Sequence, residues 1–166
     1  MATRNLVYGT DVQMTVTNLN SLASSATAGW QSARVDNTST LALDYVISVK
    51  LAFANTATAN DKAAYIWISS AFYDGSAWFQ DDQGTATLPT GSEGTTTIAS
   101  PHNLKLLGVL NYTTADSILQ GSFLLSSCFG QYIPQGFSII IINFTGAALD
   151  ASANVVQYAP ITETIA

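Results

Sequence analysis

The sequence predicts an all-β protein, a single-domain β-sandwich with essentially no helix, and three observations support this prediction. Apolar and polar residues alternate along several stretches, which is the two-residue period of a half-buried strand. Turn signals containing Gly, Pro, Asn and Asp separate these stretches at short intervals. No stretch carries the apolar stripe of an amphipathic helix. A jelly roll is the most economical form for 166 residues, and an open Greek-key sandwich is the alternative.

The chain divides into an N-terminal arm (1–10), a β-sandwich domain (11–158) and a C-terminal arm (159–166). Within the domain, residues 12–19 alternate and predict a first strand. The clearest strand is 41–53, LALDYVISVKLAF, in which every odd-numbered residue is apolar. These odd residues are predicted to face the core: Leu41, Leu43, Tyr45, Ile47, Val49, Leu51 and Phe53. Asp44 lies on the other face, where we expect it to pair with a Lys or Arg in solvent.

Further strands follow from shorter runs. Residues 63–73 begin with both faces apolar, as in a strand covered on both sides. The remaining candidates are 30–35, 77–80, 95–98, 104–110, 118–125 and 155–158. Asp74-Gly75 predicts a hairpin turn, and further turns are expected at 60–61, 134–136 and 147–154. Residues 81–103 are predicted to form a surface loop with at most one short strand.

Residues 136–146, GFSIIIINFTG, form the most apolar strip of the chain. The strip is too short for a membrane helix, which needs about 20 apolar residues, and isoleucine favours strands. A strand that is apolar on both faces must be covered on both faces. Either a loop of the same chain or another subunit could cover the outer face, and we favour the subunit because exposed charge is sparse.

The charge balance excludes several classes of partner. The net charge is −6, and charged residues make up 10% of the chain, compared with about 25% in an ordinary domain. Five basic residues are scattered along the sequence: Arg4, Arg34, Lys50, Lys62 and Lys105. Nucleic-acid binding needs clustered cations, so we expect neither nucleic acid nor an anionic membrane surface as a partner. A surface of Ser, Thr, Asn and Gln is suited to lasting contact between subunits.

No constellation of residues predicts a reaction, and we expect no enzyme activity, no cofactor and no metal. The chain has one cysteine and one histidine, Cys128 and His102. These are too few for a zinc site, and His102 is the one histidine that could act as the base of a catalytic Ser or Cys. Cys128 is interpreted as a small buried hydrophobe and His102 as a loop residue. Asp81 and Asp82 are interpreted as solvated turn acids, and no G-x-S-x-G or phosphate-binding glycine motif occurs.

The aromatic residues leave three interpretations open. Trp78 and Phe79 are neighbours on a predicted strand, so their side chains should point to opposite faces. Trp78 could lie in the core, anchor a protein interface or stack on a sugar ring. The sugar interpretation also rests on Trp30 and on the tyrosines, and it makes a carbohydrate-binding or receptor-binding module the alternative function.

The start MATRNLVYGTD has no apolar signal segment, and the chain is acidic and rich in Ala, Thr, Ser and Asn. In this overall character it resembles the small accessory virion proteins of tailed bacteriophages, namely head decoration or cement proteins with jelly-roll or sandwich folds. The resemblance implies a structural protein of the virion, made in the host cytoplasm. It also implies trimers or similar homo-oligomers that clamp the major capsid protein. Phage tail, neck and fibre proteins share this character.

Contacts with the major capsid protein or another virion protein, and between copies of the chain, are expected in three places. These are the N-terminal arm, the C-terminal segment and the outer side of 137–144, with Trp78 as a further anchor. The candidate interface residues are Arg4, Asn5, Leu6, Val7, Tyr8, Trp78, Ile140, Ile142, Tyr158, Ile161 and Ile165.

Overall fold

The computed structural model describes residues 3–54, 62–85, 90–100, 102–112, 118–130 and 132–165, with the side chain of Lys62 left out. The predicted turn at 60–61 lies outside these residues. In chain order the elements are β1 (Arg4–Tyr8), β2 (Val12–Gln13), β3 (Ala28–Gln31), β4 (Val35–Asp36), β5 (Asp44–Ala52), β6 (Lys62–Tyr73), β7 (Trp78–Gln80), β8 (Gly94–Thr97), β9 (Lys105–Tyr112), β10 (Ile118–Leu124), α1 (Ser126–Phe129), β11 (Gly136–Phe144) and β12 (Val155–Ile165).

The strands form two antiparallel sheets that pack face to face. The first sheet has the order β1-β12-β5-β10, with β2 also paired to β12. The second has the order β7-β6-β11-β3-β8, with β4 paired to β11 and β9 paired to β6. The prediction of an all-β sandwich is confirmed.

The pairing is nested along the chain. β1 and β2 pair with β12, β3 and β4 pair with β11, β5 pairs with β10, and β6 pairs with β9. The first strands thus meet the last, and the middle strands meet each other, which is the connectivity of a jelly roll. β7 and β8 are additions that lie within the long connection between β6 and β9.

The β5 strand shows where alternation predicts burial correctly and where it does not. Tyr45, Ile47 and Leu51 are at most 1% exposed between the sheets, because the two-residue period points them all inward. Leu41 and Leu43, also predicted to be inward, are 73% and 50% exposed. The strand begins at Asp44, and Leu41 has a φ of 50° in the preceding turn, so the alternation does not extend to these two residues.

The predicted first strand, 12–19, is also shorter than expected. Strand pairing there covers only Val12–Gln13, and a turn follows at 17–21. Met14 and Val16 nevertheless pack against the core. In this segment the apolar alternation predicts burial correctly but does not predict strand pairing.

The two predicted arms pair with each other. β1 lies antiparallel to β12, with Arg4 opposite Ile165 and Tyr8 opposite Ile161. β12 continues unbroken across the predicted boundary at 158/159. The neighbouring strand β5 reaches only as far as Asp44, opposite Ile161. Residues 4–7 and 162–165 therefore extend past β5 as a two-stranded segment, here named the terminal ribbon.

The isoleucine strip in β11 is covered on both faces by its own chain. Ile139 and Ile141 are fully buried in the core between the sheets. Ile140 and Ile142 point to the outer side of the second sheet, where they are 0% and 3% exposed beneath Ile98 and Leu104. The expected cover by another subunit is corrected, because the connection that precedes β9 folds back over this face. Burying one such side chain contributes about 1.5–3 kcal/mol.

Asp44 also differs from its prediction. Its carboxylate accepts a hydrogen bond from the Ser126 backbone N–H at 2.9 Å and another from the Ser126 hydroxyl. These bonds lie at the start of α1, where backbone N–H groups lack helical partners. Asp44 therefore fixes the loop after β10 instead of pairing with a Lys or Arg.

Candidate protein interface

Ring contacts between the sheets define the two ends of the sandwich. Tyr45 meets Phe137 with ring centroids 5.1 Å apart, which brings together the start of β5, the start of β11 and the end of β6. Phe53 meets Tyr112 at 4.9 Å at the opposite end. The first end also holds the terminal ribbon, the loop 37–43, the β6–β7 turn and the segments 125–130 and 132–135.

Exposed apolar side chains are concentrated at this first end. Of the sixteen large hydrophobic residues that are exposed in the described part of the chain, eleven lie there. We name it the apolar end. Its exposed residues are Leu6, Val7, Tyr8, Leu41, Leu43, Phe72, Tyr73, Phe79, Leu124, Tyr132 and Ile165. A monomer rarely exposes such a concentration unless it is a contact site.

The loop 37–43 is held rigidly although its leucines face outward. The Asn37 side-chain oxygen accepts hydrogen bonds from the Ala42 N–H at 2.8 Å and from the Tyr45 hydroxyl at 2.7 Å. Burial raises the pKa of Tyr45 to about 12. The exposed Leu41 and Leu43 are therefore presented by a fixed loop, which lowers the entropy cost of docking.

The hairpin between β6 and β7 presents an aromatic pair. The predicted turn at Asp74-Gly75 is confirmed, since the Asp74 carboxylate accepts the Ser76 and Ala77 N–H groups at 2.8 Å each and Gly75 has a φ of 101°. Hydrogen bonds from the backbone of Ala77 and Ser76 lower the pKa of Asp74. Beside the turn, Phe72 and Phe79 stack at 5.0 Å while remaining 58% and 47% exposed.

The terminal ribbon adds an edge to the same end. In the described chain β1 pairs with β12 on one side and with no strand on the other. Leu6, Tyr8 and Ile165 are 67%, 69% and 71% exposed. An ion pair between Arg4 Nε and Glu163 Oε1 at 3.2 Å joins the two strands. A two-stranded ribbon is marginal alone, and such an edge is open to pairing with another chain.

The opposite end, here named the polar end, comprises the loops 17–27, 53–54 and 145–154. Its side chains bind the chain's own backbone. Asn154 accepts the Ala52 N–H at 2.9 Å and donates to the Asp150 carbonyl at 2.7 Å. Asn143 donates to the carbonyls of Leu22 and Ala147. In the described loops of this end, these polar side chains are therefore satisfied within the chain.

The candidate interface residues from the sequence fall into two groups. Residues of β1 and the last residue of β12 are exposed: Arg4, Asn5, Leu6, Val7, Tyr8 and Ile165. The others are wholly or partly covered. Ile140, Ile142 and Ile161 are at most 6% exposed, which corrects their assignment as surface contacts, and Tyr158 packs against the core, 5.7 Å from the Tyr45 ring.

Neither Trp78 nor Trp30 presents an open ring for a sugar. Trp78 and Phe79 do point to opposite sides of the strand, as expected, and Trp78 is half-buried. The Arg34 guanidinium lies 4.5 Å above the Trp78 ring, and Tyr73 packs beside it at 5.2 Å. Trp30 is fully buried and donates its indole N–H to Glu93 at 2.8 Å. The sugar interpretation of these two residues is therefore corrected.

Several contributors to the apolar end were missed by sequence reasoning. Leu41 and Leu43 were assigned to the core, although the turn-forming residues 37–40 directly before them were a signal that the strand starts later. Phe72 lies in an ordinary apolar run, Tyr132 lies just before the predicted turn at 134–136, and neither carries a local signal of exposure. Their exposure depends on how far β6 and the segment after α1 extend beyond the sheets.

The reactive groups of the described residues form no catalytic arrangement. Burial raises the pKa of the Cys128 thiol to about 11, so the thiol stays protonated and packs against the core. Groups of three or more His, Cys, Asp or Glu with metal-binding geometry do not occur within the described ranges. The helix in this part of the structure, α1, has 4 residues, and no described helix is long and apolar enough to cross a membrane.

Comparison of the chain with known protein families, curated proteins and solved structures gives no match.

Proposed function

We propose that this chain is a structural subunit of a virus particle, a head decoration protein that docks through its apolar end onto the assembled major capsid protein. The observation that carries the proposal is that eleven of the sixteen exposed large hydrophobic residues in the described chain lie at one end of the sandwich. The choice of the head over a tail, neck or fibre position rests on the resemblance in composition.

The chemistry of the apolar end suits a protein partner. Interface cores are enriched in aromatic residues and depleted in charge, and this end combines Tyr8, Phe72, Phe79 and Tyr132 with one internally paired Arg–Glu bridge. The aromatic residues would act as anchors that fill pockets on the partner. The surrounding loops are tied by internal hydrogen bonds, so docking orders few new groups.

The free edge of β1 supports contact between copies as well. A second strand added to β1 would satisfy its outward N–H and C=O groups and cover the terminal ribbon. Association of this kind agrees with the proposed homo-oligomer, a trimer or similar ring on the lattice. Each copy that binds only the assembled capsid stabilises it by mass action.

Co-sedimentation tests the proposal directly. The purified chain is mixed with particles that lack it, and separately with unassembled capsid protein. We expect saturable binding to particles and weaker binding to free subunits. Absence of binding to particles, or equal binding to free subunits, would contradict a decoration role. Light scattering on a sizing column measures whether the free chain is already an oligomer.

A further inference from the structure

A cleft of about 260 Å³ lies on the outer face of the second sheet, away from the apolar end. Its floor is formed by β6 and β11, and its rim is formed by the segment before β9. The residues that matter for binding are Thr27, Tyr65, Trp67, Ser100, His102 and Ile142.

His102 is the least explained polar group in this cleft. Its Nδ1 is buried and has no hydrogen-bond partner among the described residues. The imidazole packs edge-on against Trp67, with centroids 5.0 Å apart and planes at 82°. Buried polar atoms almost always have a partner, and an orphan calls for an explanation. A ligand hydroxyl would supply one once the imidazole turns towards the cleft, because Nδ1 has no accessible surface as the side chain lies.

The other walls of the cleft consist of aromatic rings and hydroxyl groups. Tyr65 and Trp67 lie two residues apart on β6 and face the same side, where both pack beside the cluster that includes Ile142. Within the described chain neither the Tyr65 hydroxyl nor the Trp67 indole N–H makes a hydrogen bond. Thr27 and Ser100 add hydroxyl groups at the rim. The cleft thus combines aromatic surface with several small polar groups, the usual composition of a small-molecule site.

Charge narrows the class of ligand. Asp, Glu, Lys and Arg are absent from the described lining of the cleft. A phosphate, carboxylate or ammonium group would lose its hydration there without gaining an opposite charge. A neutral molecule with an apolar face and several hydroxyls matches the walls, and a sugar ring has both.

We propose that this cleft binds one neutral monosaccharide unit of a glycan, with its C–H face against the Tyr65 and Trp67 rings and a hydroxyl on His102 Nδ1. This proposal is independent of the decoration role, because the cleft shares no residue with the apolar end. The neighbouring contact between Ser25 N–H and the Asn143 carbonyl places the cleft near the polar end. A subunit seated on a particle by its apolar end would hold the cleft away from the particle surface.

Saturation-transfer NMR against a panel of neutral hexoses, N-acetylhexosamines and sialylated glycans tests the proposal. We expect transfer to at least one neutral sugar at millimolar concentration and none to sialic acid itself. His102→Ala and Tyr65→Phe, which keeps the ring, should each weaken binding about three- to tenfold, the equivalent of one hydrogen bond. Tyr132→Phe is the matched control, since its ring is 83% exposed at the apolar end, and it should leave binding unchanged.

The proposal is overturned by three outcomes. These are no transfer to any neutral sugar, binding confined to acidic glycans, or affinity that is unaffected by both His102→Ala and Tyr65→Phe. Thermal unfolding of each variant establishes that it is folded, and Tyr65→Phe remains informative even where His102→Ala unfolds. Co-sedimentation with particles is expected to be unchanged in both variants, so a failure here is distinguishable from a failure of the docking proposal.

Discussion

The loops at the two ends of this sandwich contain the same kinds of residues, asparagines and leucines, but differ in whether the leucines are buried or exposed. At the polar end, Asn143 and Asn154 turn their amides inward to backbone groups, and Leu19 and Leu149 are at most 1% exposed. At the apolar end, Asn37 also binds backbone, yet the leucines of its loop face solvent. The difference shows that loop rigidity and loop burial are separate properties, and that most of the exposed large hydrophobic residues of the described chain lie at the apolar end.

The outer faces of the two sheets differ in a related way. The connection between β6 and β9 covers the second sheet, where Ile98 and Leu104 lie over β11 and Gln83 donates to Gln31 at 2.6 Å. The first sheet has a polar outer face that includes Ser48, whose hydroxyl meets that of Ser122 at 2.9 Å. Ile140 and Ile142 on the second sheet are thus covered within the chain, and the apolar end holds the largest group of exposed apolar side chains in the described residues.

The largest expected effect is on stability, and it compares a substitution in the buried isoleucine strip with one in the exposed terminal ribbon. Ile140→Ala should lower the free energy of unfolding by about 2–5 kcal/mol, because it opens a cavity beneath Ile98. Leu6→Ala removes a side chain that is 67% exposed and should change stability by less than about 0.5 kcal/mol. Urea unfolding of the isolated chain measures both. Similar losses in the two variants would mean that the ribbon is buried in solution or that the strip is not.

An intermediate effect is expected on affinity for particles, when substitutions at the two ends of the sandwich are compared. The double variant Leu6→Ser, Tyr8→Ser should lower affinity for particles at least tenfold, about 1.4 kcal/mol, since exposed anchors of this kind dominate interfaces. Ile118→Ser, at the other end and 47% exposed, is the matched control and should bind as the wild type does. Equal losses in the two variants would remove the distinction between the ends.

The smallest effect concerns a carboxylate that ties the polar end to β8. Glu93 accepts hydrogen bonds from the Asn18 N–H, the Asn18 amide and the Trp30 indole at 2.7–2.8 Å. Burial, the largest single influence, raises the pKa of Glu93, but the hydrogen bonds from Asn18 and Trp30 together outweigh it and lower the pKa below 4.5. Glu93→Gln should cost about 1 kcal/mol of stability at pH 7.

The pH dependence of this variant follows from the sign of the shift. A lowered folded-state pKa contributes stability that is complete above the unfolded value near 4.5 and is lost as the pH falls through the folded value. The difference between wild type and Glu93→Gln should therefore shrink below pH 4.5, as measured by unfolding across pH 3–7, a range of about four units around that pKa. A difference that stays constant over this range would show that the charge of Glu93 does not contribute.

Local patterns predicted the parts of the fold that depend on local chemistry. Alternation identified β5 and the inward set from Tyr45 to Leu51, and Asp74-Gly75 identified a hairpin turn whose hydrogen bonds are observed. The all-apolar run of β11 correctly indicated cover on both faces. What supplies the outer cover is a segment some forty residues earlier, Ile98 to Leu104, and no period or spacing in β11 encodes that partner.

The candidate interface was only partly predictable for the same reason. The two arms were predicted as separate contact segments, but the sequence does not show that β1 pairs with β12. Leu41, Phe72 and Tyr132 contribute to the apolar end because the sheets stop where they do. That geometry is tertiary, and an apolar residue in sequence looks the same whether it is buried or presented to a partner.

Hydrogen exchange of the chain, free and bound to particles, tests the central claim most directly. Docking through the apolar end predicts slower exchange on binding in β1, in the loop 37–43 and in the β6–β7 hairpin. The loops 17–27 and 145–154 should exchange at unchanged rates. Protection confined to those polar-end loops, or spread evenly over both ends, would contradict the account.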